Sequence, residues 1–217
     1  MKVFAIVPTK QFENGKSRLS PLLNVHDRIK LSGLLLDHTL STLRKANTVS
    51  DIIVVSSDRR AKRIAEVHAV SFLDEHTQAG VNSAVTLAND YCLEIGADAT
   101  IVVPLDLPVI KPEDIDMMCN YAKEYDKCIV ITPSVRCDGT NALLRRPANL
   151  IDCFYENNSF YMHINAATKA KAKVKIFRLK RIMRDLDTVQ DAKYLIKRPR
   201  SCQSLVYLGS KLQKRRR

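Results

Sequence analysis

Short apolar runs alternate with longer helix-periodic segments along almost the whole chain, and this alternation limits the fold more than any other feature. Residues 3–7 form an unbroken apolar run that stops at Pro8, and residues 51–56, 70–73, 100–103, 128–132 and 174–179 read as further strands. Such runs read as strands buried on both faces. Between them, residues 26–46 follow a helical period, with Leu31, Leu34, Leu35, His38 and Leu43 at suitable offsets and Asn24 as a cap. Residues 59–67, 80–95, 112–125 and 159–171 read as further helices, with Pro112 in a first turn and a short last helix after Thr188. Residues 141–145 read as one more strand, a candidate for the antiparallel direction. The expectation is a three-layer α/β/α fold around a mostly parallel mixed sheet.

The 217 residues suffice for one such domain with a substantial core and are short for two. No apolar stretch approaches the roughly 20 residues that span a bilayer, and Pro8 and Lys10 interrupt the N-terminal run too early for a secretion signal. A cytoplasmic location is expected. None of the six cysteines forms C-x-x-C, so reduced, mostly buried thiols are expected rather than a zinc site. The net charge is +12, but nine cations follow the last acid, Asp191: Lys193, Lys197, Arg198, Arg200, Lys211, Lys214, Arg215, Arg216 and Arg217. The preceding part therefore carries only +3. We divide the chain into a single domain at 1–196 and a basic C-terminal tail at 197–217. The tail reads as a solvated end, a contact for nucleic acid or anionic lipid, or a segment pinned to the domain or a second subunit by Leu205-Val206-Tyr207-Leu208.

The loop after the first run carries the first chemical signal. Lys10, Lys16 and Arg18 surround Gly15, at the carboxyl end of a strand, where open α/β sheets bind ligands. Three cations there suit a polyphosphate; a solvated basic loop is the plain alternative. Gly15-Lys16-Ser17 ends like a P-loop, but Lys10 stands where that motif needs its first glycine, and no G-x-G-x-x-G follows the strand.

Asp106, in Pro104-Leu105-Asp106-Leu107-Pro108, follows a buried strand and suits a magnesium ligand or a turn aspartate. Asp185 and Asp187 would point the same way in an extended segment and could complete a metal site; Asp187 or Thr188 could instead cap the last helix. Gly80-Val81-Asn82-Ser83 opens a helix whose amides favour an anion, with Asn82 able to meet a base or ribose. Thr140 and Asn141 leave a turn, and Ser159 and His163 start a helix. Their polar groups suit a small phosphorylated acid, although His163 could simply pack.

Taken in order, Val-Pro-x-Lys, Lys-Ser-Arg-Leu, Gly-Val-Asn-Ser-Ala, Pro-Leu-Asp-Leu-Pro, Asp-Gly-Thr-Asn-Ala-Leu, Ser-Phe-x-x-His and Asp-Leu-Asp-Thr resemble the 2-phospho-L-lactate guanylyltransferase family, of the nucleotide-diphospho-sugar transferase fold. The resemblance covers about residues 1–196. It implies transfer of GMP from GTP to 2-phospho-L-lactate, giving lactyl-2-diphospho-5′-guanosine and pyrophosphate on the route to coenzyme F(420). Relatives use phosphoenolpyruvate or 3-phosphoglycerate. By the same resemblance Asp106 and Asp187, with Asp185 as a third candidate, hold Mg2+. Lys16 and Arg18 grip the triphosphate beside Pro8 and Lys10, Asn82 and Ser83 lie near the nucleoside, and Thr140, Asn141, Ser159 and His163 face the acceptor. One departure stands out: Glu156 occupies a position where members often carry glycine, and a carboxylate there would repel an anionic acceptor unless it points away. A sugar- or polyol-phosphate nucleotidyltransferase is the nearest alternative, and a nucleic-acid-binding protein acting through its basic tail is an alternative of another class. A homodimer is expected on the frequency of two-fold assemblies.

Overall fold

The computed structural model describes residues 1–76, 79–197 and 202–214. Seven strands form one sheet in the order β3-β2-β1-β4-β6-β5-β7. They are β1 (Val3–Pro8), β2 (Val49–Ser56), β3 (Ser71–Asp74), β4 (Ala99–Val102), β5 (Cys128–Pro133), β6 (Thr140–Arg146) and β7 (Lys173–Ile176). All neighbouring pairs run parallel except those made by β6, which is antiparallel to both β4 and β5. The strand expected at 141–145 is this reversed one. The six residues between them cannot provide a crossover, so β5 and β6 must form a hairpin.

Strand alternation builds a core on each face. Val3, Ala5 and Val7 pack with α1 (Val25–Lys45), α2 (Arg59–Val67) and α4 (Pro112–Lys123). Phe4 and Ile6 point the other way and pack with α3 (Val81–Glu94). Ile129, Ile131 and Leu143 meet α5 (Ser159–Lys169) on that same second face. Burial on both sides explains why these strands are continuously apolar rather than alternating. Asn24 caps α1, its side chain accepting from the Asp27 amide at 2.8 Å, as the sequence predicts.

β7 is shorter than the run at 174–179. The chain leaves the sheet after Ile176 and turns into α6 (Lys180–Met183), which the sequence reading does not include. Arg181 anchors α6 with a two-pronged bond to the buried Asp114 of α4, at 2.8 and 2.6 Å.

The segment read as a basic tail contains α8 (Gln203–Lys214), after the short α7 (Val189–Leu195). Leu205 and Leu208 are fully buried against Leu31 and Leu35 of α1, Leu186, and Leu195 of α7. Tyr207 donates to Asp27 at 2.7 Å, and Lys211 pairs with the same carboxylate. The apolar patch thus pins the segment to the domain. Arg198, Arg200, Arg215, Arg216 and Arg217 lie outside the described residues. No described helix is long and apolar enough to cross a membrane. None of the six cysteines is bridged, and only Cys137 is more than slightly accessible.

Candidate active site

β1 sits between β2 and β4, so the sheet order reverses there and the carboxyl ends of β1 and β4 part, leaving a crevice. A cleft of about 1310 Å³ occupies it. Pro8, Thr9, Lys10, Lys16 and Arg18 line one side, Asp106, Asp185 and Asp187 the middle, and Thr140, Asn141 and Ser159 the far wall.

The cationic loop is held from beneath. The Phe12 amide donates to Asp58 at 2.8 Å, and Arg28 of α1 donates to the Gly15 carbonyl at 2.9 Å. At Gly15 a Cβ would stand 3.1 Å from the Ser32 hydroxyl oxygen, so the chain passes too close to α1 for an easy side chain. Lys16 follows in the left-handed region at φ 53°, and its side chain turns inward to only 7% exposure. Lys10 and Arg18 stay exposed along the cleft.

The carboxylates come from two loops that brace each other. Buried Leu107 fixes the turn after β4, leaving Asp106 toward the cleft. Buried Leu186 points into the core while its neighbours Asp185 and Asp187 face outward, the arrangement an extended segment predicts. The Leu186 amide donates to the Asp106 carbonyl at 2.9 Å. Thr188 caps α7 reciprocally with Asp191: the Thr188 amide donates to Asp191 at 2.8 Å, and the Asp191 amide to the Thr188 hydroxyl at 3.2 Å. Capping is therefore Thr188's task, and Asp187 is free for the cleft.

One oxygen from each of Asp106, Asp185 and Asp187 lies within 4.8 Å of the others. Lys16 donates to Asp106 and Asp187, both at 2.8 Å. Burial and the charges of its two neighbours push Asp185 up to about 6. Burial works the same way on Asp187, but the Lys16 ammonium outweighs it and holds this carboxyl below its usual range. Lys16 itself is held well above its ordinary value by Asp106 and Asp187 despite the burial that opposes its charge. A three-oxygen set of this kind suits a hard divalent cation.

The other expected residues divide between cleft and scaffold. Thr140 and Ser159 line the far wall. Asn141 also reaches it, but its amide is committed to the Ile182 carbonyl at 2.8 Å, tying β6 to α6. Asn82 and Ser83 are not on the lining: Asn82 accepts from the Tyr155 amide at 2.7 Å, and Ser83 faces outward. His163 is fully buried behind Thr140. Glu156 lies beside Gly80 on the cleft lining, with one carboxylate oxygen 3.8 Å from where a Cβ on Gly80 would lie. It therefore stands by the amides that open α3, a place the sequence reading reserves for a bound anion. Sequence reasoning missed Thr9, Glu75, Ser134, Arg136 and Arg184 on the lining. Arg184 carried a readable signal, a cation directly before Asp185; the others come from loop tips whose approach depends on the fold.

The family model for CofC-like guanylyl transferases matches residues 1–212. Among curated proteins, the chain is 31% identical to a phosphoenolpyruvate guanylyltransferase of Conexibacter woesei, over 88% of this chain and 86% of that protein. It is 32% identical to a 2-phospho-L-lactate guanylyltransferase of Methanocaldococcus fervens, over 88% of this chain and 82% of that one. Among solved structures, a Desulfovibrio desulfuricans protein assigned to the nucleotide-diphospho-sugar transferases superposes with a TM-score of 0.79 at 15% identity, covering 99% and 98% of the two chains. A cytidylyltransferase from Leptospira borgpetersenii superposes with a TM-score of 0.61 at 16% identity, covering 100% and 95%. These structures share the fold expected from the sequence, and the family model adds the chemistry: the chain belongs to the CofC-like guanylyltransferases, a family of nucleotidyltransferase enzymes.

Proposed function

We propose that this enzyme transfers GMP from GTP to the phosphate of a small phosphorylated acid, with 2-phospho-L-lactate as the acceptor, releasing pyrophosphate in coenzyme F(420) synthesis. The observation that carries the reading is the carboxylate triad with Lys16 in its grasp, set at the reversal of the sheet between a cationic loop and a hydroxyl-bearing wall. An oxygen of the acceptor phosphate attacks the α-phosphorus in line. The new P–O bond forms as the bond to the β-phosphate bridging oxygen breaks, and pyrophosphate carries off the electron pair. No general base is required, because the acceptor phosphate is already an anion. Catalysis comes from positioning and charge stabilisation.

Lys10, Lys16 and Arg18 offset the triphosphate's charge, and Thr140 and Ser159 offer hydroxyls to the acceptor. Asp106, Asp185 and Asp187 are the residues that would hold Mg2+, which when bound neutralises phosphate charge. A second acceptor, phosphoenolpyruvate, is supported by relatives of that name at 31% and 33% identity. It keeps the same phosphate and carboxylate in a flatter frame.

The test is pyrophosphate release from GTP or ATP with each acceptor in turn, with Asp106→Ala as control. Release that needs GTP and 2-phospho-L-lactate and is lost in the control supports the reading. Preference for phosphoenolpyruvate replaces the acceptor, and silence with every pair overturns the enzyme's proposed substrates.

A further inference from the structure

His163 lies at 0% exposure on α5, one turn beyond Ser159, and does not touch the cleft. Its Nε2 is 3.0 Å from the Phe154 amide nitrogen. A backbone N–H can only donate, so Nε2 must be the unprotonated, accepting nitrogen. Burial, with the Arg145 guanidinium nearby, lowers the imidazole's pKa to about 4, so the ring is neutral at physiological pH. Its single proton is therefore on Nδ1, which faces the Thr140 hydroxyl oxygen at 3.1 Å.

A ring nitrogen that carries a proton is no acceptor. Thr140 cannot donate to it, and the Thr140 oxygen is the group that receives. The opposite tautomer would reverse this: Thr140 would spend its proton on Nδ1 and turn lone pairs toward any ligand, repelling an anion.

We infer that His163 is a positioning residue, which keeps the Thr140 hydroxyl proton available for donation to the anionic acceptor. The inference rests on the guanylyl-transfer reading above and adds to it the device that sets hydrogen-bond polarity on the acceptor wall. The same imidazole joins three pieces of that wall: the start of β6, the start of α5, and the loop carrying Phe154 and Glu156.

Two measurements on the full chain test it. Long-range 1H–15N correlation spectra of the ligand-free wild type at pH 7 report the tautomer directly. A neutral ring protonated at Nδ1 is expected; a proton at Nε2, or on both nitrogens, overturns the inference whether or not any acceptor is turned over. Steady-state kinetics supply the second arm. Thr140→Val should raise the acceptor KM by roughly 10- to 100-fold, the loss of one hydrogen bond to a charged group, with the GTP KM unchanged. Thr140→Ser should restore it. His163→Phe should raise the acceptor KM in the wild-type background and add nothing on top of Thr140→Val. Additive losses in the two backgrounds, or an equal rise in the GTP KM, refute action through Thr140. A wild type with no pyrophosphate release for any acceptor refutes the transfer reading and with it the acceptor role of Thr140, while the spectra separately decide the tautomer.

Discussion

Single side chains carry the site's chemistry, and their environments differ enough to give separable outcomes. Asp187 sits against Lys16 and beside Asp106 and Asp185, so Asp187→Asn leaves the shape but removes one carboxylate charge from the cluster proposed to hold Mg2+. Turnover should fall by about 100-fold or more, read as pyrophosphate release under saturating substrates. Glu156→Gly removes the negative charge that faces the α3 amides across from Gly80. An anionic acceptor should then bind more tightly, seen as a lower acceptor KM; an unchanged value would mean that the carboxylate stays clear of it. His163 also leaves a mark on stability. Its pKa falls from 6.5 unfolded to about 4 folded, so the unfolded chain binds the extra proton between those values. The contribution is complete above pH 6.5 and is lost as pH drops toward 4, amounting to at most about 3 kcal/mol. Urea unfolding at pH 7 and pH 5 should show a smaller pH difference for His163→Gln than for the wild type.

Elements decide whether those side chains meet. The Asp185–Asp187 segment is braced by the cap of α7, by the Leu186 amide on the Asp106 carbonyl, and by the Arg181–Asp114 pair at α6. Thr188→Ala removes the side-chain half of the cap. It should cost about 1 kcal/mol in thermal unfolding and lower turnover further than that small destabilisation accounts for, because Asp187 is the next residue. If activity follows stability alone, the cap does not position Asp187. At this scale the sequence was informative where a local rule operates: the Asn24 cap, Pro112 in the first turn of α4, and the shared facing of Asp185 and Asp187 on either side of buried Leu186 all stand as read. It failed where a neighbour supplies the reason. α6 exists because Arg181 finds Asp114, 67 residues away. Asn82 and Asn141, read as ligand contacts, donate to or accept from backbone atoms of segments 73 and 41 residues away.

Across the whole molecule, the C-terminal helix completes the domain. Leu205 and Leu208 cover Leu31 and Leu35 of α1, the helix that also sends Arg28 to the cationic loop. Leu205→Ala should cost about 2–5 kcal/mol, the range for a buried leucine, measured by denaturant unfolding. Truncation before Gln203 should expose that apolar face and yield aggregating or unfolded protein. A truncated chain that stays monomeric with unchanged unfolding would show that α8 is dispensable. The cations on this segment made it look like a tail. The buried leucines are spaced for a helix, but only their partners on α1 show that the spacing is used.

The layered α/β architecture was legible in the residues alone, because strands buried on both faces must be continuously apolar and helices covering them must be periodic. The types and order of the carboxylates and cations also suffice for the family resemblance, and the fold brings Lys10, Lys16, Arg18, Asp106, Asp185 and Asp187 to one cleft. Which polar groups face the cleft depends instead on contacts made across the fold. Lys16 turns inward between carboxylates 90 and 171 residues away, and His163 withdraws behind Thr140 to accept the Phe154 amide. Hydrogen bonding is directional and satisfied by whatever the fold brings near, so a polar residue's task depends on neighbours that its position in the chain does not reveal.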